Sequence, residues 1–143
     1  MREVPFEAIH IEDIPEPEHE KSPDEPDWRP VRIHFGITSF GTNAYTARKA
    51  GQLLVEEHSE SEESGTRHEE LYFVATGHAK FVVAGEEVDA PAGTFLYVPD
   101  PDAFRSAVAA ADQTTVLCFG GTPGEAFSVS PWEQKHDPAV AES

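Results

Sequence analysis

The sequence is short of cysteine, of basic residues and of long apolar runs. Cys118 has no second cysteine to pair with, and its place inside Thr115-Val116-Leu117-Cys118-Phe119 makes it a small buried hydrophobe. Lys and Arg number 10 against 27 Asp and Glu, a formal net charge of −17, so neither a nucleic-acid backbone nor an anionic membrane suits this chain as a partner. Residues 1 to 20 hold no apolar segment of the signal-peptide kind, and nowhere do eighteen apolar residues run together. The expected compartment is therefore the cytoplasm. Gly120-Gly121-Thr122-Pro123-Gly124 lacks the lysine and the following helix of a phosphate-binding loop, which leaves it a turn.

A chain of 143 residues suffices for one well-filled core. Ten acidic residues precede Trp28 and seven more lie between Glu56 and Glu70, so much of the charge forms solvated segments. Pro5, Pro15, Pro17, Pro23 and Pro26 interrupt the first 27 residues, a composition that nucleates no core of its own. Only Phe6 to Ile11 alternates there, as an edge strand or an arm laid across the domain or a neighbour.

Alternation of Val31, Ile33, Phe35 and Ile37 with Arg32 and His34 predicts a half-buried strand, its two basic side chains facing solvent. Asn43 to Glu57 has helical propensity but is split by Gly51 into two pieces that suit strands equally. His68 to Val83 reads as two extended runs of a meander joined at Thr76-Gly77, with a second turn at Ala84-Gly85. Thr94 to Val98, Phe104 to Ala109, Thr114 to Phe119 and Phe127 to Val129 supply further strands. This many short strands without a long helical pattern indicate an antiparallel sandwich or barrel. Leu71 to Ala75, Phe95 to Val98 and Val116 to Phe119 are apolar on both faces, so an outer covering is expected: a second copy of the chain, the N-terminal arm, or both.

In its middle the chain resembles a small cupin, the RmlC-like jelly-roll β-barrel family. Glu70, six residues, Gly77 meets the end of the family's first motif; Gly93, five residues, Pro99 meets the start of its second. The hairpin at Ala84-Gly85 and the texture of Glu69 to Val74 and of Ala103 to Ser106 add to the likeness, which spans roughly residues 40 to 120 and makes Asn43 to Glu57 strands. It implies an all-β jelly roll (double-stranded β-helix) over residues 28–133, an acidic Pro-rich arm or edge strand over 1–27 and a tail over 134–143. Trp132 is then the residue that pins the tail.

The departures from the family pattern fall on its metal ligands. Counting back from Glu70, the two first-motif histidines are replaced by Ser64 and Thr66, or by Glu63 and Gly65; counting forward, Phe104 or Asp102 stands in place of the second-motif histidine. His68 and Glu70 lie two residues apart and so leave one face of a strand, with Tyr72 deeper on it. Three readings stay open. A relocated metal site would use His68, Glu70, His58 and Asp102 around Fe, Mn, Ni, Cu or Zn in an oxygenase- or isomerase-type enzyme. His58 enters because Gly51 followed by His58-x-Glu60 resembles a first motif with a lengthened loop to Glu70. A metal-free small-molecule pocket would instead be lined by His68, Glu70 and Tyr72, with Arg105 as a cation for an anionic ligand or as an ion-pair partner. In the third reading the domain is a non-catalytic assembly module. The preferred expectation is the small-molecule pocket, without a firmly bound metal, in a homodimer.

Overall fold

The computed structural model describes residues 5–61 and 66–137. After a 3-10 turn at Ile11–Asp13 the elements are β1 (Asp27–Arg29), α1 (Val31–Phe35), β2 (Gly41–Ala47), β3 (Leu53–His58), β4 (Glu69–Thr76), β5 (His78–Val83), β6 (Glu86–Pro91), β7 (Phe95–Val98), β8 (Arg105–Ala109), β9 (Thr114–Gly121) and α2 (Pro131–Gln134). Every strand pairing among the described residues is antiparallel. One sheet has the order β1-β2-β9-β4-β7 and faces a second of order β3-β8-β5-β6. Among the described residues no helix is long and apolar enough to cross a membrane.

The core lies between the sheets, where Leu54, Tyr72, Val74, Phe81, Val98 and Val116 meet. Strand β4 shows how alternation builds it. Glu70, Tyr72 and Val74 point inward and are buried, whereas Leu71 and Phe73 occupy the outer face. Burial of a side chain such as Val74 contributes on the order of 1.5–3 kcal/mol, so this inner row sets the strand's register.

Four expected elements are corrected. The meander across Thr76-Gly77 does not form, because β4 pairs with β7 and β9 while β5 pairs with β6 and β8 in the other sheet. Gly77 is a corner between sheets, not a hairpin turn. Its φ is 75°, and a Cβ there would stand 2.3 Å from Thr114 Oγ1 and 2.7 Å from Thr114 Cα, so only glycine fits. The second turn is the expected hairpin, with Ala84 and Gly85 at φ 50° and 82° between β5 and β6.

The expected strand over Val31–Ile37 is helix α1, and Arg32 is buried, not solvent-facing. The helix follows Pro30 and closes at left-handed Gly36 (φ 72°), whose N–H and that of Ile37 bond Arg32 O at 2.9 and 3.0 Å. Tertiary charge pairing overrides the alternation. Arg32 is held by Glu133 and by Asp137 Oδ2 at 2.5 Å, and its Nη1 donates to Ile37 O at 3.0 Å. Phe6 to Ile11 and Phe127 to Val129 form no strand either.

Residues before β1 lie against the same chain: Leu53 N–H donates to Asp24 O at 2.9 Å and Gln52 Nε2 to Pro23 O at 2.9 Å. Trp132 in α2 packs on Trp28 with ring centroids 5.2 Å apart. On the outer face of β4 and β7, Phe73 and Phe95 pair at 4.5 Å, and Phe95 and Tyr97 are 65% and 57% exposed in the single chain.

Candidate functional site

Between the sheets lies a cavity of about 650 Å³, walled by His58, Glu60, His68, Glu70, Tyr72 and Cys118 among others. Each polar side chain reaches it by strand alternation. Glu70 and Tyr72 come from the inner face of β4, and His68, two residues earlier, keeps to the same side and is only 4% exposed. Cys118 lies opposite Tyr72 in the β4–β9 register, and His58 ends β3.

Glu70 is fully engaged. Its Oε1 accepts from Arg105 Nη1 at 2.7 Å and from Tyr72 Oη at 2.5 Å; its Oε2 accepts from Cys118 Sγ at 3.2 Å. Arg105, wholly buried, is fixed by two further bonds, from Nε to Ala103 O and from Nη2 to Asp100 O, both 3.0 Å. It sits behind Glu70 and is not among the residues that wall the cavity.

Glu60 spans two imidazoles. Its Oε2 is 3.1 Å from His58 Nε2, and its Oε1 is 3.4 Å from His68 Nδ1. The other ring nitrogen of His58 lies 2.8 Å from Glu56 O, and its Nε2 is also 3.6 Å from Glu70 Oε1. His68 stacks on Phe127 at 5.0 Å and 23°. Phe127 in turn lies over Gly41, where a Cβ would come within 3.1 Å of its Cζ. Among the described residues, His68 Nε2 is the buried side-chain nitrogen or oxygen that has no hydrogen-bond partner.

Burial opposes charge throughout this cluster, and ion pairing overcomes it. Burial lowers the His58 pKa, but the hydrogen bonds to Glu60 and Glu70 and the Glu56 carbonyl outweigh it and push it up to about 10. Burial raises the Glu60 carboxyl, yet His58 and His68 bring it down to about 2. Glu70 ends below its ordinary range: burial raises it, the His58 hydrogen bond lowers it, Glu60's charge raises it, and the Tyr72 hydrogen bond lowers it again. Burial, then the Glu70 charge, push the Tyr72 hydroxyl and the Cys118 thiol well above their usual values. The cluster is thus an ionised imidazolium–dicarboxylate–guanidinium network with a protonated phenol and thiol.

Of the residues the sequence singled out, His68, Glu70, Tyr72 and His58 converge on the cavity. Asp102 does not join them; it is exposed, with its Oδ1 3.7 Å from Arg67 Nη1. Phe104 is 41% exposed, and the neighbouring Arg105 is the β8 residue that points at Glu70. Ser64, Glu63 and Gly65 lie outside the described residues, and Thr66 contributes its carbonyl to Thr122 Oγ1 at 3.0 Å. Glu60 and Phe127 were missed. The likeness of Gly51 and His58-x-Glu60 to the first motif was the available signal for Glu60; nothing in the sequence marked Phe127.

His58, Glu60 and Glu70 each offer a ligand atom, all within 4.8 Å of one another, which is the spacing of a metal cluster. Hydrogen bonding from His58 Nδ1 to Glu56 O also aims Nε2 at the carboxylates, as in metal sites. The donors are nevertheless spent. A divalent ion would sit beside the Arg105 guanidinium on a Glu70 whose oxygens already accept three hydrogen bonds. This set fits a firmly held divalent ion poorly.

No protein-family model and no curated protein sequence matches this chain. Its fold is similar to solved structures at low identity. An ectoine synthase from P. lautus superposes with TM-score 0.59 at 16% identity, over 92% of this chain and 85% of that one. A cupin protein from Bacteroides fragilis gives 0.56 at 19%, over 80% and 90%. A cupin-superfamily sugar phosphate isomerase from Silicibacter pomeroyi gives 0.55 at 18%, over 70% and 62%. The likeness shows the fold alone, two facing antiparallel sheets of the cupin type.

Proposed function

We propose that the chain is a small-molecule-binding cupin whose pocket works without a firmly bound metal. The observation that carries this reading is the Arg105–Glu70 pair. A guanidinium with no exposure supplies, from within the chain, the positive charge that a buried carboxylate otherwise takes from a metal ion. Cavity size agrees, since about 650 Å³ falls within the range of small-ligand sites. A ligand that binds only the native state must raise the melting temperature. In a thermal-shift screen run with excess chelator, at least one small organic compound is expected to stabilise the protein. Stabilisation that disappears with chelator overturns the reading.

The competing reading is a metal-dependent enzyme of the oxygenase or isomerase type, favoured by the convergence of His58, Glu60 and Glu70. An ectoine synthase and a sugar phosphate isomerase on the same fold show that it accommodates enzymes, but at 16% and 18% identity neither transfers an activity. The proposed homodimer is supported by the apolar outer face of β4 and β7, where Phe95 and Tyr97 stand open to solvent. Sedimentation should give a dimer at micromolar concentration that Phe95→Glu converts to monomer; a wild-type monomer contradicts it.

A further inference from the structure

His68 lines the cavity, and its buried Nε2 has no partner among the described residues. A carboxylate only accepts, so Nδ1, directed at Glu60 Oε1, carries a hydrogen, and in the neutral ring Nε2 is left with its lone pair. A buried acceptor without a partner is costly, and a ligand N–H or O–H placed in the cavity removes that cost.

The rest of the wall decides between donors. Glu20, Glu25, Glu56 and Glu57 line the cavity in addition to the paired carboxylates, whereas Lys135 is the only Lys or Arg among the described residues that does. A chain of net charge −17 with an acid-lined hollow repels anions and concentrates cations. Trp28, Tyr45 and Trp132 add aromatic surface to the same wall, which suits a cation carrying some hydrocarbon. Arg105, the residue best suited to an anionic ligand, is bound to Glu70 and does not reach the cavity.

We infer that the ligand is a small organic cation with an N–H donor, an alkylammonium or alkylguanidinium compound, whose nitrogen donates to His68 Nε2. This rests on the metal-free pocket proposed above. His58 and Glu60 then serve to position His68: the imidazolium holds one oxygen of Glu60, and the other fixes the His68 tautomer.

The test is calorimetric titration, with chelator present, of n-butylguanidinium, n-butylammonium, n-butanol and butyrate. The two cations should bind in preference to the alcohol and the carboxylate, and more weakly as salt is raised. His68→Phe keeps a ring to stack on Phe127 but removes the acceptor, and should weaken cation binding by about ten-fold. Paired Glu56→Gln and Glu57→Gln substitutions, both at exposed positions, should leave the fold intact while reducing the affinity and its salt dependence. Butanol or butyrate binding as well as the cations overturns the ligand class and leaves the pocket standing. Unchanged cation affinity in a folded His68→Phe protein overturns the role of Nε2. Failure of all four probes to bind also overturns the class, while the chelator-insensitive melting test judges the pocket separately.

Discussion

The two carboxylate–imidazole neighbourhoods of this cavity differ in how completely the chain uses its own polar atoms. Around Glu70, Arg105, Tyr72 and Cys118 supply donors to both carboxylate oxygens. Around His68, one ring nitrogen faces Glu60 while the other, equally buried, has no hydrogen-bond partner among the described residues. The first arrangement is closed and belongs to the structure of the barrel. The second leaves one buried ring nitrogen, the one the proposed ligand would meet, without a partner. The contrast separates a buried charge that the fold has already neutralised from a buried polar atom that it has left without a partner.

Breaking the closed side should have the largest effect. Arg105→Met leaves Glu70 ionised and buried beside Glu60, so chemical denaturation should show a loss of about 3–5 kcal/mol. Adding Glu70→Gln to that variant should recover a large part of the loss, because the unpaired charge is then gone. If Arg105→Met is nearly neutral, the guanidinium is not what holds Glu70.

Acidity tests the link between the two sides. Glu60, with its folded pKa near 2 against an ordinary 4.5, contributes stability that is present above 4.5 and lost as pH falls toward 2. His58, raised from 6.5 to about 10, contributes stability that is complete below 6.5 and lost as pH rises through 10. The two describe one ion pair, so its contribution should be greatest between pH 4.5 and 6.5 and fall on either side. Melting temperatures of Glu60→Gln across roughly pH 3 to 10 should follow a flatter curve than wild type. A parallel, merely displaced curve contradicts the pairing.

The open side should respond least in stability and most in accessibility. Gly41→Ala places a methyl group 3.1 Å from Phe127 Cζ, which must give by about a few tenths of an ångström. The cost should be about 1–3 kcal/mol. Histidine hydrogen exchange or NMR should show the His68 ring more exposed to solvent. An unchanged His68 signal means that Phe127 does not cover it.

The chain's legibility follows the same division between local and distant causes. Hairpin β5–β6 was readable from Ala84-Gly85, and the inward side of β4 from the spacing of His68, Glu70 and Tyr72. Helix α1 was not, because Arg32 is drawn inward by Glu133 and Asp137 about a hundred residues later, beyond any window of alternation. Gly77 was recognisable as a turn residue, but its need to clear Thr114 makes it a corner between sheets, and that contact is invisible in sequence. At the site, Arg105 was picked out as cation or ion-pair partner, and only the fold shows its guanidinium behind Glu70 and not in the cavity. Counting along the second motif reached Phe104, one residue short of the side chain that points at Glu70.

Elemental analysis of protein purified without chelator tests the central claim most directly. With Glu70 satisfied by Arg105, Tyr72 and Cys118, the account predicts only traces of transition metal, unchanged in His58→Ala. Near-stoichiometric metal that is lost in both His58→Ala and Glu70→Ala would contradict it.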